Sequence, residues 1–223
     1  MGTAAVAARR AAVLVTAEAL HLDEAAELTR TGDLWLFRGR SAADHAIRVA
    51  TNSPVNHVAM AVVIEDLPPL LWHAELGRSL PDLWTGTHHR GVQLHDLRAA
   101  VTTWATRYRQ RAWLRQLEGT VTREMEDALL REVARRDGTP FPAALGLIGR
   151  WVRGRFRLPA SVETAYCAEV IAGTYQAMGL LRPDRPANWY DAGRFWSGDE
   201  LTLEGGATLG AEIPVTATLG GAP

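Results

Sequence analysis

Apolar and polar positions along the chain alternate between helical and extended spacing, and the two kinds of stretch are interleaved. Residues 8–30 show helical spacing in two pieces that end near Thr31-Gly32. Gly32-Asp33-Leu34-Trp35-Leu36-Phe37-Arg38-Gly39 is apolar, aromatic and bounded by glycine, which predicts a strand. Residues 41–51 predict a short helix with Ser41 as its cap, broken at Asn52-Ser53-Pro54. The near-continuous apolar run over 56–64 predicts a strand covered on both faces. A turn over 65–69 and a strand over 70–76 then make an antiparallel hairpin with it. Residues 92–97 alternate like a third strand, and 101–117 read as strand and loop, with the strand over 108–114. Thr120 to Arg136 is an amphipathic helix capped by Thr122, with acidic residues in its first turn and Arg135-Arg136 in its last. Residues 143–153 read as helix or apolar loop. Ala165 to Gly179 reads as a helix whose first turn holds Cys167, and the tail from Asn188 reads as short alternating pieces.

Composition narrows the function classes. The 223 residues suffice for one domain, with at most a small appendage, and are 47% apolar and 22% charged. We divide them into an N-terminal helical extension (1–30) and a main domain (31–223). With 24 basic and 25 acidic groups the net charge is -1, so no strong field draws the chain to nucleic acid or an anionic membrane, and no nucleic-acid partner is expected. No apolar run is long enough to span a bilayer. The start, with its Arg pair and short apolar stretch, reads as an amphipathic helix rather than a signal peptide, which points to the cytoplasm. The eight Trp residues read as core or pocket lining.

Candidate chemistry centres on the single cysteine. A thiol becomes a nucleophile when its pKa is lowered and a base is within reach. A helix start lowers it, through unpaired amides and the macrodipole, and the same amides can hold an oxyanion. Cys167 at a helix start meets that need; the alternative is a small apolar residue of a core helix. His57 opens the most apolar strand, where it is the candidate base. His73 and Glu75 share one face of the following strand, and the hairpin brings either of them near His57 as the group that fixes its tautomer. His88-His89 with His95 fits no compact metal site, so neither metal nor cofactor is expected.

Three stretches then carry a resemblance. Gly32-Asp33 with its strand, Thr51-Asn52-Ser53 and Asn56-His57-Val58-Ala59 resemble the opening of the permuted NlpC/P60 papain-like families, including the YiiX/YaeF-like group and, more distantly, the lecithin:retinol acyltransferase-like proteins. Tyr166-Cys167-Ala168-Glu169 resembles their cysteine motif, and Gly138-Thr139-Pro140-Phe141 a segment upstream of it. The resemblance implies an α+β papain-like fold, an antiparallel sheet with the cysteine helix packed on it. It implies Cys167 as nucleophile, His57 as base, His73 before Glu75 as third member, and Tyr166 beside the oxyanion site. The expected activity is a cysteine-dependent hydrolase, an amidase or peptidase or an acyl-ester hydrolase or acyltransferase, acting on a small-molecule, peptide or lipid acyl substrate through a thioester. The alternative is a silent binding or scaffold protein of the same fold. Oligomeric state is not legible.

Overall fold

The computed structural model describes residues 19–40, 53–75, 77–140, 159–196 and 201–217, with side chains of the last helix from Tyr166 onward. The helix expected over 41–51, the stretch 143–153 and the first piece of the 8–30 helix lie outside these residues.

Among the described residues seven strands form one sheet in the order β1-β7-β6-β2-β3-β4-β5. They are β1 (Leu20–His21), β2 (Leu34–Arg38), β3 (His57–Val62), β4 (Leu70–Glu75), β5 (Gly91–Asp96), β6 (Arg111–Glu118) and β7 (Thr208–Thr216). Every pairing is antiparallel except β1 with β7. Among the described residues four α-helices accompany it: α1 (Leu22–Leu28), α2 (Leu97–Arg107), α3 (Arg123–Arg136) and α4 (Pro159–Ala177). The architecture is mixed α+β. Residues 20–28 are not an appendage: β1 pairs with β7, and Ala25, Ala26 and Leu28 are buried in a core.

Because strand side chains alternate, each face of the sheet owns its own core. On one face Leu34, Val58, Met60, Trp72 and Leu94 pack with Cys167, Val170, Ile171 and Tyr175 of α4, and with Leu129 and Val133 of α3. On the other, Trp35, Phe37, Ala59, Ala61 and Leu71 pack with α1 and with Leu97, Ala100, Val101 and Trp104 of α2. The apolar reading of β3 as a strand covered on both faces has its cause here: all six of its residues are buried.

Helix α2 corrects the expectation of strand and loop over 101–107, whereas the strand expected over 108–114 overlaps β6. Asp96 caps it through a 2.8 Å bond from the Ala99 amide, and Leu97, Ala100, Val101 and Trp104 form a stripe at helical spacing. The cap lies at the end of the segment that alternates as a strand, so the helix begins where the strand pattern still holds.

Polar side chains tie the layers together. The Asp33 carboxylate accepts from the Arg30 amide at 2.8 Å and the Leu117 amide at 2.7 Å. Tyr175 donates to the Gly32 carbonyl at 2.6 Å, fastening α4 to the same turn. Gly32 has φ +90°, and a Cβ there would meet Leu117 Cδ2 at 2.8 Å. Trp72 Nε1 donates to Thr174 Oγ1 at 3.2 Å. At the outer side of β5, the Leu83 amide donates to the Leu94 carbonyl, Leu94 to Asp82 Oδ1, Val92 to the Thr139 carbonyl, and Gly138 to the Val92 carbonyl.

Candidate functional site

Alternation sends His57 of β3, His73 of β4 and His95 of β5 to the face covered by α2. Leu71 pairs with His95 and His73 with Gln93, so His95 stands diagonal to His73. The three rings form a chain. His57 Nε2 is 3.2 Å from His73 Nδ1, and His73 Nε2 is 3.0 Å from His95 Nδ1. Trp104 of α2 roofs the chain, its centroid 5.5 Å from that of His57 and 5.0 Å from that of His73. Phe37 packs against both His57 and Trp104.

All three imidazoles are buried and neutral. Burial, then the neighbouring His95, hold His57 down to about 3. Burial, then His95 and His57, hold His73 well below its ordinary value. Burial lowers His95 to about 4, although Asp82 and the Leu80 carbonyl favour its charged form. Three neutral rings own three protons, and the two ring-to-ring contacts take one each. The third therefore sits at an end of the chain, on Nδ1 of His57 or Nε2 of His95. His95 Nε2 is buried without a hydrogen-bond partner; the nearby Leu80 carbonyl closes no bond of normal geometry to it.

Glu75 is two residues beyond His73 on the same face. Ser79 Oγ donates to its carboxylate, 3.0 Å from Oε1 and 3.2 Å from Oε2, and Trp104 Nε1 donates to Ser79 Oγ at 3.3 Å. A nitrogen of His73, one of His95 and an oxygen of Glu75 all lie within 4.8 Å of one another. Above the His57 end a cleft of about 170 Å³ opens, lined by Asn56, His57, Glu75, Gly77, Trp104, Tyr108 and Gln110. Asn56 Oδ1 accepts from the Gly39 amide at 2.7 Å, which fixes that wall. Gln110 contributes a buried carbonyl oxygen without a partner.

The structure thus brings His57 and His73 together and gives Glu75 to Ser79. It does not bring Cys167 to them. Cys167 is buried in the α4-face core, whereas the His57 ring lies on the α2 face against Phe37 and Trp104. The helix-start argument for its thiol is also corrected. Helix α4 begins at Pro159, so Cys167 lies in the third turn, beyond the reach of terminal amides. Tyr166 joins the same α4-face core; burial, then Glu169, push its phenol up. His88 meets the Arg78 carbonyl and His89 stands 3.7 Å from Asp82, so neither joins the histidine chain.

Sequence reasoning weighed His95 only with His88-His89 and set it aside, and it missed Trp104 and Gln110 as site residues. The signal for His95 was present: Gln93 and His95 share a face, as His73 and Glu75 do. Trp104 was hidden with its helix.

No family model matches the chain, and no curated protein matches it. Among solved structures, it is similar to the metalloprotein yiiX from Escherichia coli O157:H7, DUF1105, at 22% identity and a TM-score of 0.44, over 66% of this chain and 65% of that one. The likeness thus spans somewhat less than two thirds of that protein's length.

Proposed function

We propose that the cleft over His57 is a hydrolase site for an amide or ester carbonyl, with His57 as general base and His73 as the partner that orients it. The observation that carries this reading is the 3.2 Å contact of His57 Nε2 with His73 Nδ1 at the floor of the cleft. With the third proton at the His95 end, His57 donates through Nε2 and keeps a lone pair on Nδ1. The ring is neutral throughout the physiological range. Its weak basicity rises as negative charge develops on the attacked carbonyl beside it, because that charge favours imidazolium. Water in the cleft is the nucleophile this geometry favours. Gln110 and Asn56 line the cleft with polar side chains, and the volume takes one benzene-sized group.

The cysteine-dependent form, with a thioester on Cys167, needs Sγ and the His57 ring on one side of β3. A panel of p-nitrophenyl esters and anilides, assayed with the native chain, His57→Ala and Cys167→Ala, separates the readings. The expected result is turnover that falls about 10²-fold or more in His57→Ala and persists in Cys167→Ala. Loss of turnover in Cys167→Ala, with the fold intact by circular dichroism, returns the nucleophile to the thiol. No turnover, or turnover indifferent to His57, overturns the hydrolase reading and leaves the silent binding protein.

A further inference from the structure

Three donors stand behind the cleft, and one of them, His73, also orients His57 in the proposed reaction. His73, Glu75 and His95 come from two neighbouring strands, and all three are buried. Their donor atoms lie within 4.8 Å of one another, and two of them, His73 Nε2 and His95 Nδ1, are 3.0 Å apart. Tetrahedral ligands held at 2.0–2.1 Å from zinc are about 3.3 Å apart, so the two imidazoles need a shift of a few tenths of an ångström and the Glu75 oxygen, within 4.8 Å, closes in by up to about 1.5 Å. We propose that His73, Glu75 and His95 form a binding site for a divalent transition metal ion of the zinc class, with its open coordination position toward the cleft.

Three features beyond proximity support the site. The first is the unpartnered nitrogen at His95. In the metal-free arrangement Nε2 of His95 is buried without a hydrogen-bond partner. With a cation between His73 Nε2 and His95 Nδ1, both nitrogens give lone pairs, and His95 Nε2–H turns to the Leu80 carbonyl. The second is the surrounding support. Ser79, itself held by Trp104, donates to the Glu75 carboxylate, and His73 Nδ1 faces His57. Partners of this kind orient metal ligands. The third is charge and composition. One carboxylate partly offsets the charge of a divalent ion, and two imidazole nitrogens with one carboxylate oxygen, plus an open position, match the ligand set of catalytic zinc sites. Glu75 also lines the cleft, so the ion is reached from there.

The site has a consequence for the proposed reaction, and this part rests on that reading. A metal on His73 Nε2 leaves the His73 proton on Nδ1, donated to His57 Nε2. Neutral His57 then carries its own proton on Nδ1. Bound metal therefore turns His57 from an acceptor into a donor, and the ion suppresses the base.

Titration of the metal-stripped chain with Co²⁺, followed by visible absorbance, and with Zn²⁺, followed by calorimetry, tests the site without reference to activity. The expected result is one equivalent bound, with affinity falling at least 10-fold in both His95→Gln and Glu75→Gln and unchanged in His89→Gln, whose imidazole lies outside the cluster. Thermal melts without metal establish that each variant is folded; if His95→Gln does not fold, Glu75→Gln alone decides. No stoichiometric binding, or equal binding by a folded Glu75→Gln chain, overturns the proposal. If metal binds as expected but leaves turnover unchanged, the site stands and the role of His57 as base fails.

Discussion

His57 and Cys167 stand on opposite faces of the sheet, one beneath Trp104 of α2 and the other in the core under α4. The thiol is fully buried. Iodoacetamide at pH 7.5 is therefore expected to label Cys167 in the native chain at least ~100-fold more slowly than in the urea-unfolded chain, since access needs local opening. Cys167→Ala is expected to cost ~1–2 kcal/mol in urea unfolding, for a small cavity. Equal labelling rates with and without urea would show a thiol that reaches solvent.

Acid is expected to destabilise the fold through the three histidines. Each is held below its unfolded value near 6.5, so the unfolded chain binds protons that the native chain refuses. That stability is present above about pH 6.5 and is lost as pH falls through about 4 for His95 and about 3 for His57. Each imidazole contributes a slope of up to about 1.4 kcal/mol per pH unit. Asp137 opposes this, because burial and then Asp82 raise its carboxyl to about 6, and the native form takes up a proton there first. Urea midpoints at pH 7.5, 6.5 and 5.5 should fall in order, and less steeply in His95→Phe. A flat profile would show that the rings are not held neutral.

How much of this was legible depended on whether the signal was local. The β3–β4 hairpin and the meeting of His57 with His73 follow from strand alternation and a short turn, both written within twenty residues. Placing His95 needed the pairing of β5 with β4 across a polar loop, which alternation alone does not specify. The pairing of β1 with β7 joins segments almost two hundred positions apart and leaves no local trace. The start of α4 had a cue in Pro159, suited to a first helical turn, but the Tyr-Cys motif drew the boundary toward Cys167.

Asp33 is expected to act on stability rather than chemistry. It is fully buried, and its carboxylate is the acceptor for the Arg30 and Leu117 amides. Asp33→Ala leaves both donors unpaired and should cost ~3 kcal/mol or more in urea unfolding. Tyr175→Phe, which strips one donor from the Gly32 carbonyl, should cost ~1–2 kcal/mol. A neutral Asp33→Ala would mean that water replaces the carboxylate.

Trp104 is expected to separate packing from orientation. Trp104→Phe keeps a ring over His57 and His73 but loses the bond to Ser79, and should cost ~1 kcal/mol. Trp104→Ala removes the roof and should cost ~3–5 kcal/mol. Turnover per folded molecule should also drop in Trp104→Phe, since Ser79 is then less fixed against Glu75. Unchanged turnover in that variant would assign Trp104 to packing alone.

The bonds on the outer side of β5 settle how this sheet meets other chains. Unpaired amides and carbonyls on a border strand invite a foreign strand to add itself. Here Val92 and Leu94 have already spent theirs on Thr139, Gly138, Leu83 and the Asp82 carboxylate. At Val92 and Leu94 that border has no spare amide or carbonyl to offer an incoming strand, which works against fibril-like growth along it.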